Sequence, residues 1–162
     1  MSAADQFKGT PLPTQVVVVE RGPVENFATA ITDANPAFHD PRVAAGQGFG
    51  SIPAPPTWPV VMGNWGAFAE LQPEDAGAPS PVTAAIGALM SDGGLILHGE
   101  QEVVYERPVM VGDVLTGTGE IEDVYTKESG DRVMTFVVAR TDWTDESGES
   151  VCTSRMTVIH RK

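Results

Sequence analysis

Four long stretches between Leu95 and His160, each rich in β-branched and aromatic residues, constrain this chain more than any other feature. Gly112-Asp113, Ser129-Gly130-Asp131 and Glu146-Ser147-Gly148 separate them, and these are turn-forming combinations. The pattern predicts strands over 95–107, 113–127, 131–143 and 149–160. Turns this short between consecutive strands require antiparallel pairing. Strands beyond ten residues exceed the usual length, as expected where a sheet wraps strongly around something. In the third, Met134, Phe136 and Val138 alternate with Val133, Thr135 and Val137. Both faces are therefore apolar, which predicts a central strand covered on each side.

The first half reads differently. Gln15 to Glu20 is a β-branched run of strand length. Pro23 suits a first helical turn, and Val24, Phe27, Ala28 and Ile31 follow at helical spacing. Pro36 ends that helix within Asp33-Ala34-Asn35-Pro36. A turn through His39-Asp40-Pro41 leads to a Gly/Pro-rich loop over 46–56. The strongest helical signal spans Trp58 to Leu71, where Trp58, Val61, Met62, Trp65, Phe68 and Ala69 form one stripe behind a Thr57 N-cap. Gly63 and Gly66 lie off the stripe and predict a close neighbour. Residues 72–92 are turn-rich, with room for a short helix over 83–90. The expected architecture is α+β, an antiparallel sheet of about five strands around a long central helix. Residues 1–14 read as a flexible leader and 15–162 as one domain.

Charge narrows the functional classes. Twenty-two acidic against ten basic side chains give a formal charge of −12. Such a surface repels phosphate backbones, so no nucleic-acid partner is expected. A phosphate-bearing substrate would need a local basic rim, for which Arg107, Lys127, Arg132, Arg140, Arg155 and Arg161 are candidates. No apolar run reaches the ~18–20 residues of a membrane span, and the first residues lack a secretory pattern, so a cytoplasmic protein is expected. Cys152 is the single cysteine, read as a small buried strand residue. Three dispersed histidines offer no metal-ligand spacing, and no glycine-rich phosphate loop occurs, so neither metal nor cofactor is expected.

Three segments carry a family resemblance. In ENFATAITDANPAFHDPRVAA (25–45), Asp33-Ala34-Asn35-Pro36 resembles the D-x-N-P core of the hydratase signature in MaoC-like enzymes. GFGSIPAPPTWP (48–59) is similar to the loop feeding the central helix in the FAS1-like dehydratase N-terminal branch. HGEQEVVYERPVMVGD (98–113) resembles that branch's strand and P-x-x-x-G-D turn. With the strand order, these cover about nine-tenths of the chain. The layout is also similar to the HadA-type subunit of (3R)-hydroxyacyl dehydratases.

The resemblance implies a hot-dog fold and a hydro-lyase: reversible syn addition of water to a trans-2-enoyl thioester of coenzyme A or an acyl carrier. It assigns Asp33 and His39 as the catalytic acid–base pair. Asn35, Thr57, Trp58 and His98 become substrate-binding residues, with the Thr57 and Trp58 amides at the start of the central helix facing the thioester oxygen. One departure matters. The signature places His five positions after the Asp, where this chain has Phe38; His39 follows one residue later. A one-residue offset swings a side chain by ~100° in a helix and ~180° in a strand. The alternative is therefore a non-catalytic, substrate-binding subunit paired with a catalytic hydratase chain. Either a homodimer or a heterodimer with a second hot-dog subunit is implied, since one such sheet leaves an open edge. A hot-dog thioesterase fits poorly, because Glu70 lies at the far end of the expected helix.

Overall fold

The computed structural model describes residues 2–91, 93–130 and 132–162. Its strands are β1 (Gln15–Val18), β2 (Leu95–Tyr105), β3 (Val114–Ser129), β4 (Arg132–Thr144) and β5 (Ser150–Arg161). They form one antiparallel sheet in the order β1-β3-β4-β5-β2. The four long strands fall within two residues of their expected limits. Asp131, expected in the β3–β4 turn, lies outside the described residues. Gly148, at φ 84°, occupies the left-handed region that the β4–β5 turn requires.

Register decides what faces inward. Gly117, Trp143 and Cys152 align across β3, β4 and β5; so do Gly119, Thr141 and Ser154, and then Ile121, Ala139 and Met156. These residues share the concave face. Two apolar cores sit on it. The first joins Trp58 and Met62 to Val17, Leu115, Trp143 and Cys152. The second joins Val82, Ala85 and Leu89 to Ile121, Val137, Ala139 and Val158.

The long central helix over 58–71 does not form. A 3-10 turn (Trp58–Val60), the four-residue α3 (Met62–Trp65) and a second 3-10 turn (Ala69–Leu71) replace it. The cause is β1, whose outer edge needs partners. The Val18 N–H donates to the Gly66 carbonyl at 2.9 Å, and a side chain at Gly66 would collide with the Val18 backbone. Gln72 completes the edge: its Nε2 donates to the Val16 carbonyl at 2.7 Å, and its Oε1 accepts the Val16 N–H at 3.0 Å. The two glycines did announce a close neighbour, and that neighbour ends the helix.

The regular helix on the concave face lies later. Helix α4 (Pro81–Met90) extends the short helix expected over 83–90, with Pro81 in its first turn and Val82, Ala85 and Leu89 buried. It packs on β4 and β5. Two short roofs thus stand where one long helix was expected.

Two further expectations are corrected. The leader is not loose: Ala4 is fully buried, and Gly9 and Leu12 donate to the carbonyls of Ile121 and Gly119, each at 2.8 Å. Buried Ala4 and the Phe7 beside it supply the apolar contact that holds it down. Nor does a second layer cover the convex face among the described residues. Phe136 there stacks on Tyr125, ring centroids 4.6 Å apart, with the Lys127 ammonium over both rings.

Candidate active site

Asp33 is delivered by the end of α1 (Arg21–Ala30), whose Val24, Phe27 and Ala28 are buried. The Asp33 N–H reaches back to the Ala28 carbonyl at 2.9 Å and the Thr32 N–H to Thr29 at 3.0 Å. This is a Schellman-type end, with Thr32 at φ 57° in the position usually held by glycine. A β-branched residue there is strained, at a cost of about 1 kcal/mol or more.

The segment that follows is held by its own polar groups. The Asp33 Oδ1 accepts the Asn35 N–H at 3.0 Å, an Asx turn. The Asn35 Oδ1 caps the next turn by accepting the Ala37 N–H at 3.1 Å. Asp40 caps α2 (Pro41–Gly46) by accepting the Arg42 N–H, and its side chain pairs with the same residue's guanidinium at 2.8 Å. The Arg42 contacts hold the Asp40 carboxyl at about 2.

His39 and Asp33 do meet, but through the backbone. His39 Nε2 lies 3.0 Å from the Asp33 main-chain carbonyl. That oxygen can only accept, so the ring nitrogen is the donor. The carboxylate is already engaged with Asn35. Phe38, in the signature's His slot, is buried at 8% exposure.

The expected thioester-oxygen site is altered as well. The Trp58 N–H donates to the Pro55 carbonyl at 2.8 Å, so that amide is spent within the loop. Its indole is 1% exposed and packs edge-on against Phe27, with Trp65 5.7 Å away. Thr57 is exposed at the head of a three-residue 3-10 turn, where no helix long enough to aim a dipole begins. Tyr105 fixes this loop from below, its hydroxyl donating to the Pro56 carbonyl at 2.7 Å; burial pushes its phenol pKa upward. His98 is exposed on edge strand β2, beside the register shift at Gly99. His160, by contrast, is buried, with Nε2 2.8 Å from the Gly93 carbonyl.

The main cavity lies elsewhere. A groove of about 850 Å³ runs over the concave face between the two roofs. Pro59, Val60 and Gly63 border one end, Val82 and Ile86 of α4 the other, and Gly119, Ala139, Thr141 and Ser154 form its floor. Neither Asp33 nor His39 lines it. Sequence reasoning missed the groove, although Gly117 and Gly119 on one strand face signalled a floor without side chains.

Several basic residues expected as a phosphate rim are committed to acids. Arg107 bridges Asp113 (2.8 Å) and Asp145 (3.1 Å), Arg140 pairs with Asp142 (2.9 Å), and Arg155 pairs with Glu122 (2.7 Å) and Glu102 (3.0 Å). Among the described residues no cluster of metal-ligating side chains occurs, and no helix is long and apolar enough to cross a membrane.

Known proteins resemble this arrangement at two levels. The ChsH1–ChsH2 complex of Mycobacterium tuberculosis superposes with a TM-score of 0.75 at 23% identity, covering 97% of this chain and 88% of that one. The C-terminally truncated HadBC (3R-hydroxyacyl-ACP dehydratase) complex of the same organism gives 0.68 at 21% identity, covering 94% and 96%. This likeness establishes the hot-dog fold, here with its helical core divided in two. In sequence, a UPF0336 protein of Saccharopolyspora erythraea is 30% identical over 149 residues, 92% of this chain and 85% of that protein. The model of the FAS1-like dehydratase domain region matches residues 6–154, from the docked leader to the middle of β5, and the chain therefore belongs to the FAS1-like dehydratase domain family.

Proposed function

We infer that this chain is the acyl-holding subunit of a heteromeric (R)-enoyl-thioester hydratase or (3R)-hydroxyacyl-thioester dehydratase. A second hot-dog chain supplies the catalytic histidine. The observation that carries this reading is the local geometry at 33–39. Phe38 is buried where the signature has histidine, the His39 ring is tied to a main-chain carbonyl, and the Asp33 carboxylate holds a turn. A general acid–base pair must reach the reacting proton or a bound water, and here neither group borders the groove.

The groove supports the positive half of the proposal. Its volume of about 850 Å³ lies within the range of small-molecule sites. Its floor is the sheet, and Pro59 and Val60 border it. Edge strand β2 supports pairing: Leu95, Leu97 and Val104 are exposed along a strand hydrogen-bonded on one side only. Such an edge favours a partner strand.

The second reading makes Asp33 and His39 catalysts in their own right, and the 3.0 Å contact that keeps the ring beside Asp33 favours it. One assay separates the two. The purified chain alone is offered crotonyl-CoA, and then again with a hot-dog chain carrying an intact D-x-N-P-x-H. Under the subunit reading, hydration appears with the partner only, and Asp33→Asn leaves the rate of the pair within about twofold. Turnover by the chain alone that Asp33→Asn abolishes would instead establish the second reading.

A further inference from the structure

Strand register also orders the convex face, which neither roof covers. Val124 and Val137 pack in the second core, so their neighbours Tyr125 and Phe136 point outward. The row they begin runs Tyr125, Phe136, Ile159 and Leu97 across β3, β4, β5 and β2. Tyr125 and Phe136 stack with their planes 5° apart, and Leu97 is 39% exposed. Ile159 lies over Gly99, which has no side chain to displace it. On β4 the row is flanked by Met134 and Val138, also half-buried. A strand with apolar side chains on both faces is built to be covered twice. In the single chain, only the inner face of β4 has a cover among the described residues.

The charges beside this row differ in sign. On one flank Lys127 and Arg161 align through Met134. Neither forms an ion pair with a described residue. The Lys127 ammonium instead lies 5.1 Å from the Phe136 ring centre. On the other flank the aligned residues are Asp123, Val138, Thr157 and Glu100. Lys8 pairs with Asp123 at 2.7 Å, and beyond this flank Arg140 and Arg155 are held by Glu122, Glu102 and Asp142. Gln101 lines the groove, so Glu100 beside it points outward, and it too forms no ion pair with a described residue. Uncompensated positive charge thus stands on one side of the apolar row and uncompensated negative charge on the other.

Such a face is complementary to a copy of itself. A two-fold axis lying along the row, between two stacked sheets, sets the row on its own counterpart and each flank on the opposite one. We propose that a second copy of this chain packs back to back on the convex face through the Tyr125–Phe136–Ile159–Leu97 row, with Arg161 of each copy meeting Glu100 of the other. Glu100 then lies one strand away from the point opposite Arg161, about 5 Å, which an arginine side chain spans. Met134 meets Val138, and Lys127 meets the neutral Lys8–Asp123 pair. A copy fits better than an unlike protein because one sequence supplies both signs of the match. The contact uses side chains on the face and not the open backbone edge of β2. It is therefore independent of the hydratase-subunit reading and leaves that edge for another chain. Two convex sheets touch over a small area, so reversible association in the micromolar range is expected.

The test is sedimentation velocity of the full chain from low micromolar to submillimolar concentration. Phe136→Ser is expected to weaken self-association about tenfold or more. Phe136 lies two strands in from the β2 edge, so an edge-to-edge dimer would not respond to it. Arg161→Glu and Glu100→Arg each put like charges across the seam, and each variant alone should associate about tenfold more weakly. An equimolar mixture of the two should regain the wild-type strength, because each copy then carries the charge the other needs. Circular dichroism verifies that each variant folds, and Tyr125→Ser replaces Phe136→Ser should that variant not fold. A wild-type chain that stays monomeric over the whole range overturns the proposal. So does an association indifferent to Phe136→Ser or its replacement, or a charge-variant mixture no tighter than either variant alone. None of these outcomes touches the hydratase-subunit reading, which the crotonyl-CoA assay decides.

Discussion

The two roofs over the concave face are built on opposite principles. The first, around Trp58 and Met62, is irregular: it buries a large aromatic side chain and is fastened by backbone and amide hydrogen bonds from β1 and Gln72. The second, α4, is a regular helix that holds the sheet through Val82, Ala85 and Leu89. The first roof adds polar bonding to an edge strand to its buried aromatic, whereas among the described residues the second is held to the sheet by apolar packing. The gap between them exists because the first cannot continue as a helix while its Gly66 carbonyl serves Val18.

The contrast can be broken at either anchor. The largest loss is expected for Trp58→Ala, about 3–5 kcal/mol by urea denaturation, because a fully buried indole leaves a cavity among Phe27 and Trp65. Leu89→Ala should cost about 2–4 kcal/mol and loosen α4, seen as faster amide exchange over 81–90 while the first roof stays protected. Gly66→Ala is expected to cost about 1–3 kcal/mol, since its new methyl meets the rigid backbone of Val18. Gly63→Ala meets only the movable end of Gln15 and should cost less than about 1 kcal/mol. If these two glycine variants proved equal, β1 pairing would not be what interrupts the helix.

A smaller, pH-dependent effect tests the hairpin that keeps both roofs over one floor. The Ser147 hydroxyl and then the Arg107 guanidinium hold the Asp145 carboxyl at about 2, below its ordinary value. A depressed carboxyl stabilises the fold above the unfolded pKa of about 4, and its contribution is lost as pH falls toward 2. Asp145→Asn should therefore flatten the stability profile between those values and leave the slope above pH 5 unchanged, as read from thermal midpoints.

The strand half was legible because its signals are local. Alternation, β-branched residues and glycine turns placed four long strands to within two residues, and antiparallel pairing followed from the short turns. The Trp58–Leu71 stripe misled for a different reason. Its residues are buried as helical periodicity demands at Trp58 and Met62, but Trp65 and Phe68 stay exposed. Periodicity reports what a segment would do alone, whereas Val18 lies 48 residues away and competes for the same carbonyl. Asp33, Asn35 and His39 are close in sequence and stay close in the fold, yet their hydrogen bonds are with the backbone, which spacing alone does not reveal.

The sequence by itself determined the sheet, its family and the displacement of histidine by Phe38, since each is written in neighbouring residues. Only the tertiary structure decided that the central helix divides, that the leader docks, and that Thr141 and Ser154 come together on an open floor. Those outcomes depend on which distant backbone groups claim one another's hydrogen bonds, and no local pattern along the chain encodes that competition.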